Sequence, residues 1–84
     1  MQPEVKLLSE KAQALKCGVY KHFKGDLYRV LGVGRLSEDR DQELVVYQSM
    51  QYGYIWLRPL DMFCEDVDRD GYKCPRFKFM KLGS

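Results

Sequence analysis

The chain has 84 residues, of which 45% are hydrophobic and 31% are charged, so its length and composition predict one ordinary globular domain. They exclude a disordered chain, and no apolar run is long enough for a transmembrane helix. The formal net charge of +2 is weak evidence for an anionic partner. No signal peptide is evident and the three cysteines form no C-x-x-C pair, which predicts a cytoplasmic protein with free thiols and no membrane association.

An amphipathic helix is predicted at the start of the chain. Pro3 and Glu4 are typical of a first helical turn, and Gly18 suits the conformation that ends a helix. Apolar residues recur at helical spacing, at Val5, Leu8, Ala12 and Leu15. The pattern predicts a helix over residues 3–16, within an N-terminal segment 1–17, whose apolar stripe covers an open face or end of the following sheet.

The next stretch, 18–36, is typical of two strands joined by a tight turn at Gly25 and Asp26. The second strand is long and contains Gly32 and Gly34. Glycines inside a strand indicate a bulge, a bend or a close backbone approach, and a bent long strand is typical of small barrels. We therefore expect this strand to curl the sheet.

The remaining chain continues the β pattern. A polar loop is predicted over 37–42, a turn around Gly53, and the end of a strand at Pro59. Further elements are expected as strands over 43–50 and 55–58, one helical turn over 60–63, a short strand over 64–67, and an edge strand within 75–80. The predicted fold is mainly β: a small SH3-like barrel of about five strands over 18–80, with an N-terminal α-helix and a tail at 81–84. A five-stranded oligonucleotide-binding barrel is the second choice.

Five short sequence blocks follow one another along these predicted elements. They are Gly18-x-Tyr20-x-His22-Phe23-Lys24-Gly25, Tyr28-x-Val30-Leu31-Gly32, Val45-Val46-Tyr47-Gln48, Trp56-x-Arg58-Pro59-Leu60-x-Met62-Phe63 and Pro75-Arg76-Phe77. Together they resemble a bacterial family catalogued as domain of unknown function 1653, over Gly18 to about Phe79. The resemblance implies a small intracellular bacterial domain with a barrel-like fold, and it implies no activity. The loop from Leu36 to Asp39 departs from the His-Ser-Glu-Thr type run expected there.

An acidic run, Asp66-x-Asp68-x-Asp70-Gly71, matches the first six positions of an EF-hand calcium loop. The twelfth position of that loop requires a bidentate acid, and Phe77 stands there instead. We interpret the run as an acidic β-turn whose Asp side chains bind their own backbone, with weak calcium binding as the alternative. No metal site and no cofactor are predicted.

His22 is the one histidine and invites a catalytic interpretation with Cys17 or a carboxylate. The sequence contains no nucleophile elbow, second histidine or oxyanion loop. We therefore interpret His22 as a surface or core-edge residue that bonds to the backbone, and we predict that the chain is not an enzyme.

An aromatic and basic face is the main candidate for binding. If the aliphatic residues of two central strands face the barrel interior, alternation turns Tyr47, Trp56 and Arg58 outward. The inward residues in this interpretation are Leu44, Val46, Ile55 and Leu57. The candidate binding residues are Tyr20, His22, Lys24, Arg29, Tyr47, Trp56, Arg58 and Arg76. In the alternative interpretation, the N-terminal helix covers this face and Trp56 belongs to the core.

Rings and cations on one surface suit the bases and phosphates of a nucleic acid. The sequence therefore predicts a non-enzymatic binding module for an anionic partner, either single-stranded nucleic acid or a nucleotide. The alternative is a protein–protein adaptor or a homodimer, in which the alternating tail Phe77-Lys78-Phe79 adds an edge strand to a partner.

Overall fold

A five-stranded sheet with two short helices makes up most of the computed structural model, which describes residues 7–82. The elements in chain order are α1 (Glu10–Ala14), β1 (Gly18–His22), β2 (Leu27–Leu36), β3 (Asp39–Ser49), β4 (Ile55–Pro59), α2 (Leu60–Cys64), β5 (Asp66–Arg69), β6 (Tyr72–Pro75) and β7 (Phe77–Leu82). The sheet is antiparallel in the order β4-β3-β2-β1-β7, and β5 pairs with β6 as a separate hairpin. The expectation of a mainly β fold with about five strands and an N-terminal helix is confirmed. Neither helix within residues 7–82 has the length or the apolar run that a membrane span requires.

The sheet is open rather than closed into the predicted barrel. Within residues 7–82, its edge strands β4 and β7 each pair with one neighbour. The long strand β2 does bend, through a register shift between Val30 and Gly32. Helical residues then fill the inner face, because Ala12 of α1 and Leu60 and Phe63 of α2 are buried in the same core cluster as the sheet residues. The helices cover that face in place of a closing strand.

The helix α1 starts later than predicted because Ser9 caps it. The Ser9 hydroxyl accepts a hydrogen bond from the Ala12 amide at 3.1 Å. The Ser9 amide and hydroxyl also donate to the two carboxylate oxygens of Glu43 on β3, at 2.8 and 2.6 Å. These bonds fix the helix start against the sheet, and residues 7–9 are not helical. The predicted start at Pro3 lies outside the described residues.

Two segments that were predicted as coil belong to strands. The polar segment 37–42 shortens to a turn, because β3 begins at Asp39, which pairs with Leu36. Its side chains are mostly exposed, so their polarity reflects solvent around a hairpin end rather than a loop. Likewise β7 continues to Leu82, into the predicted tail. The prediction that the C-terminal strand is an edge strand is confirmed.

The acidic run forms the turn of the β5–β6 hairpin, as interpreted from the sequence. Asp70 and Gly71 have positive φ angles of 53° and 85°, and the Gly71 amide donates to Asp68 Oδ1 at 3.1 Å. Strands flank this turn where a calcium loop has helices. The strand predicted over 64–67 begins at Asp66 because α2 extends to Cys64, and β6 has no counterpart among the predicted elements.

The buried face of β3 is the reverse of the predicted one. Val45 and Tyr47 are buried, at 0% and 4% exposure, whereas Leu44 and Val46 alternate with them and point to the outer face. Both faces of this strand are apolar, so alternation alone does not identify the covered one.

The faces of β4 are reversed for the same reason. Trp56 pairs with Tyr47 and therefore shares its face, and Arg58 lies two positions further along the same side. Ile55 and Leu57, which were predicted to lie inside, are on the outer face and are 50% and 60% exposed. The grouping of Tyr47, Trp56 and Arg58 on one face was right, but that face is the inner one.

Candidate functional site

Phe77 is the centre of an aromatic cluster on the inner face of the sheet. It stacks on Phe63 with ring centroids 4.2 Å apart and an interplanar angle of 9°. Tyr47, Tyr28 and His22 meet it edge-on, at 5.3, 5.7 and 4.9 Å. Aromatic pairs of this geometry contribute about 0.5–1.5 kcal/mol each beyond the area that they bury. The cluster is therefore a rigid part of the core, and it forms the floor of the candidate site.

Arg58 lies at the border of this cluster. Its Nε donates to the Tyr47 hydroxyl at 3.2 Å, and its Cζ is 5.9 Å from the centroid of the Phe77 ring. The residue is partly buried. Among residues 7–82, no carboxylate lies within ion-pair distance of its guanidinium, and its two Nη atoms have no hydrogen-bond partner. The core thus orients a cation whose outer groups remain available to an anion.

His22 adds a second polar group beside the same ring. The Lys24 amide donates to His22 Nδ1 at 3.2 Å, so the neutral ring carries its proton on Nε2. Burial lowers the pKa of His22 below its usual value, and the positive charges of Arg58, Lys24 and Arg76 lower it further, against a smaller opposing effect of Asp26. A histidine surrounded by cations in this way is a favourable place for an anion.

Trp56 is the exposed ring of the site. Its side chain is on the same face as that of Tyr47, yet Trp56 is 51% exposed while Tyr47 is 4% exposed. Two residues along a strand separate the Cα atoms of Trp56 and Arg58 by about 7 Å. Phe63 of α2 packs on Tyr47, so one of the two predicted stacking residues is covered and the other, Trp56, is open. We call His22, Trp56 and Arg58, with Tyr47 and Phe77 beneath them, the aromatic-cationic site.

The other predicted binding residues lie elsewhere or have structural partners. Tyr20 is buried, its hydroxyl donates to the Lys16 carbonyl at 2.6 Å, and burial raises its pKa. Arg29 is on the outer face of the sheet, in register with Val19. Arg76 is held by the Glu65 carboxylate at 2.7 Å and by the carbonyl of Met62 at 3.1 Å.

Lys24 is exposed in the turn after β1, and its Nζ lies 5.9 Å from the centroid of the Phe23 ring. Lys24 and Arg76 contribute positive charge near His22, as Arg58 does. Of the predicted residues, the structure brings together His22, Tyr47, Trp56 and Arg58.

Phe77 belongs to the aromatic-cationic site and Tyr28 packs against it, although the sequence did not place either residue there. The pairing of β1 with β7 places Phe77 opposite His22. The alternation in 75–80 was enough to predict the strand, but it contains no information about which distant strand it would join. No local signal identifies this contact.

A cleft beside α1 is the main alternative as a binding site. It has a volume of about 320 Å³, and Lys11, Glu43 and Asp61 are among its lining residues. Lys11 Nζ is 3.0 Å from Asp61 Oδ1, and hydrogen bonds from Ser9 lower the pKa of Glu43. These charged groups attach α1 to β3 and α2, so we assign the cleft a structural role.

The described residues contain no cluster of three or more histidine, cysteine or acidic side chains that could hold a metal ion. Cys17, Cys64 and Cys74 are all free, and burial raises the pKa of the Cys64 thiol, which disfavours the reactive thiolate. Within residues 7–82, the His22 ring makes one hydrogen bond, the one from the Lys24 amide.

Comparison with known proteins identifies the family. The family described as "Protein of unknown function (DUF1653)" matches residues 18–79. A crystal structure of a DUF1653 protein from Bordetella bronchiseptica is similar to the chain, with a TM-score of 0.75 and 34% sequence identity, covering 87% of this chain and 96% of that one. No curated protein matches. The resemblance inferred from the sequence blocks is therefore confirmed, and the chain belongs to the DUF1653 family.

Proposed function

We propose that this chain is a non-enzymatic module that binds single-stranded nucleic acid or a nucleotide at the aromatic-cationic site. The observation that carries the proposal is the environment of Arg58. Its Nε is bound to Tyr47, its Cζ lies near the Phe77 ring, and no acidic side chain within residues 7–82 neutralises it. A partly buried arginine without a carboxylate partner is most stable when an anion from outside the chain approaches it.

The neighbouring groups favour a phosphate attached to a base over a simple anion. Arginine binds phosphate through two parallel N–H groups, and the Nε2–H of His22 adds a donor. The half-exposed Trp56 ring provides a stacking surface two residues along β4 from Arg58. Stacking of a base on an aromatic side chain contributes about 1–3 kcal/mol and depends little on the sequence of the strand.

The proposal includes a cytoplasmic location and the absence of catalysis. Three free cysteines support a reducing compartment. The absence of a hydrogen-bonded nucleophile at His22 within the described residues supports binding rather than covalent chemistry.

The fluorescence of Trp56 tests this proposal, because it is the one tryptophan of the chain. Titration with a mixed-sequence single-stranded oligonucleotide is expected to quench that fluorescence in a saturable manner. Arg58→Gln should weaken the binding roughly tenfold, since it removes one charge-assisted phosphate contact. Arg29→Gln, a matched loss of charge on the outer face, should leave it unchanged. No quenching, or equal effects of the two variants, would contradict the proposal.

A second candidate function is protein–protein binding through the edge strand β7. Within residues 7–82, β7 pairs with β1 on one side and has no strand on the other. An exposed strand edge can accept an extended segment of a partner. Met80 has no pairing residue in β1 because the register shifts there, so Met80→Pro removes edge pairing capacity without removing a β1 pair. Unchanged solution mass and partner binding in this variant would count against the candidate.

A further inference from the structure

Three large aromatic side chains are exposed close together at the β3–β4 turn and the start of β4. Tyr52, Tyr54 and Trp56 are 69%, 65% and 51% exposed, and of these only Trp56 belongs to the aromatic-cationic site. Single exposed rings are common on protein surfaces, whereas several in one place indicate a contact region. The exposure of the two tyrosines therefore points to a molecule that contacts their rings.

The register of β3 and β4 places Tyr54 in line with Trp56 and Arg58. Trp56 lies opposite Tyr47 in this pairing. The Ser49 amide donates to the Tyr54 carbonyl at 2.9 Å, which continues the pairing by two residues. Ser49 is 7% exposed and follows Tyr47 on the covered face of β3. Alternation therefore puts Tyr54, Trp56 and Arg58 on the inner face, and we call these three residues the β4 row.

Hydrogen bonds to Ser49 hold the backbone of the turn that carries the tyrosines. The Ser49 hydroxyl accepts from the Tyr52 amide at 3.1 Å, and its carbonyl accepts from the Gly53 amide at 2.8 Å. Gly53 has a φ of 80°, and its carbonyl accepts from the Gln48 side chain at 2.9 Å. The Tyr52 ring stacks on that of Tyr54, with centroids 6.2 Å apart and an interplanar angle of 27°. Because the turn is fixed and one ring supports the other, less entropy is lost when a ligand stacks there.

Charge is confined to one end of the β4 row. The sequence has no charged residue between Glu43 and Arg58, so the segment that carries Tyr54 and Trp56 provides rings without a cation. Arginine binds phosphate, whereas the flat face of any base stacks on an aromatic ring. The row therefore matches a phosphate at Arg58 and bases at Trp56 and Tyr54.

The spacing of the β4 row favours a strand whose bases are separated. Alternate residues of a β-strand are about 7 Å apart, so the row is about 13 Å long. Successive stacked bases of one strand are about 3.4 Å apart, so a stacked strand does not match one base to each ring. Proteins bind single strands with the bases splayed out and stacked on side chains. A mononucleotide has one base, so it leaves one ring of the row unoccupied.

We propose that the ligand of the aromatic-cationic site is a single nucleic-acid strand that runs along β4, with one phosphate at Arg58 and two successive bases on Trp56 and Tyr54. This inference rests on the proposed function and chooses between its two ligands, because it requires a strand rather than a free nucleotide. It adds Tyr54, supported by Tyr52, to the binding residues.

Trp56 fluorescence, titrated with a thymidine trinucleotide and with thymidine monophosphate, tests the inference. Wild type should bind the trinucleotide roughly tenfold more tightly, since a second base stacks. Tyr54→Ala should weaken trinucleotide binding roughly tenfold and leave monophosphate binding unchanged. Tyr54→Phe keeps the ring and should bind both ligands as wild type does. Tyr72→Ala is the matched control and should change neither affinity, because Tyr72 is 78% exposed on the separate β5–β6 hairpin.

Urea unfolding and salt dependence separate stacking from folding and from charge. Both Tyr54 variants should keep near-wild-type stability, because the side chain is 65% exposed. Tyr54→Ala should leave the slope of affinity against salt unchanged, whereas Arg58→Gln should reduce it.

The outcomes distinguish this inference from the proposed function. If neither ligand binds, or if Arg58→Gln does not weaken binding, the proposed function fails and the inference fails with it. The inference alone is overturned if Arg58→Gln weakens trinucleotide binding and Tyr54→Ala does not, or if the two ligands bind equally well. A loss in Tyr54→Phe as large as that in Tyr54→Ala also overturns it, because the ring would then not be the binding group.

Discussion

The Arg58 side chain is oriented by Tyr47, whose hydroxyl accepts a hydrogen bond from Arg58 Nε at 3.2 Å. Tyr47 is itself fixed, because it is 4% exposed and its ring packs edge-on against Phe63 and Phe77 at 5.5 and 5.3 Å. The position of the Arg58 cation is therefore set by a buried residue of the aromatic cluster. This arrangement reduces the entropy that Arg58 loses when it binds an anion.

Tyr47→Phe is expected to weaken ligand binding while keeping the fold. It removes the acceptor for Arg58 Nε but keeps the ring, so the free energy of unfolding should fall by about 1 kcal/mol. Affinity for a single-stranded oligonucleotide should fall by a few-fold to about tenfold, because Arg58 is no longer oriented. Urea unfolding and Trp56 fluorescence measure the two effects. Tyr72→Phe is the control, since Tyr72 is 78% exposed; an unchanged affinity in Tyr47→Phe would refute the orienting role.

Phe77→Ala is expected to abolish or nearly abolish folding. Phe77 contacts Phe63, Tyr47, Tyr28 and His22, and loss of a buried phenylalanine typically costs about 3–5 kcal/mol. That is a large part of the stability of a small domain. Circular dichroism and urea unfolding test it. Tyr72→Ala, on the β5–β6 hairpin, should change stability by no more than about 0.5 kcal/mol, and near-native stability of Phe77→Ala would be inconsistent with the cluster as the core.

The contact between Ser9 and Glu43 should make the attachment of α1 depend on pH. The two hydrogen bonds from Ser9 lower the pKa of Glu43. The stabilisation is therefore fully present above the unfolded pKa of about 4.3 and is lost as the pH falls through the lower folded pKa.

Replacement of either partner should reveal the same contact. Glu43→Gln is expected to flatten this acid-side loss, and Ser9→Ala should cost about 1 kcal/mol through the lost N-cap. Urea unfolding at a series of pH values measures both. Identical pH profiles for wild type and Glu43→Gln would show that the contact does not stabilise the helix.

His22 should report anion binding through its titration. In the free protein, burial and the charges of Arg58, Lys24 and Arg76 lower its pKa below about 6.5, so stability falls as the pH drops from about 6.5 through the folded pKa. A bound phosphate opposes those charges and should raise the pKa. Binding should therefore strengthen as the pH is lowered through this range. NMR of the single histidine ring measures the pKa directly. A pKa that stays the same at saturating oligonucleotide would place the anion elsewhere.

The positions of the elements followed from local signals in the sequence, whereas the choice of faces did not. Pro59, Gly53 and the turn at Gly25 interrupt strand pairing in any fold, so the strands that they border were predicted within a few residues, whereas β6 was not predicted. In 44–47 the run Leu-Val-Val-Tyr is apolar on both faces, so its periodicity could not show which side the helices cover. The reversal of β3 reversed β4 with it, because the two strands share a ladder.

Closure of the sheet and the composition of the site depend on contacts between distant residues. The bend at Gly32 was predicted, but whether β4 reaches β7 depends on what fills the inner face, and α2 fills it with Phe63. The contact between His22 and Phe77 arises from strand register. Local propensity holds no information on such pairings, so Phe77 was predicted in an edge strand but not in this site. Alternation within two neighbouring strands was enough to group Tyr47, Trp56 and Arg58.

The salt dependence of oligonucleotide binding tests the central claim most directly. For a single strand, the logarithm of the association constant falls with the logarithm of salt concentration by about 0.7 for each phosphate that the protein neutralises. We predict a clear negative slope for wild type, a slope smaller by about 0.7 for Arg58→Gln, and an unchanged slope for Arg29→Gln. Binding that ignores salt, or a slope that Arg58→Gln leaves the same, would contradict an anion site at Arg58.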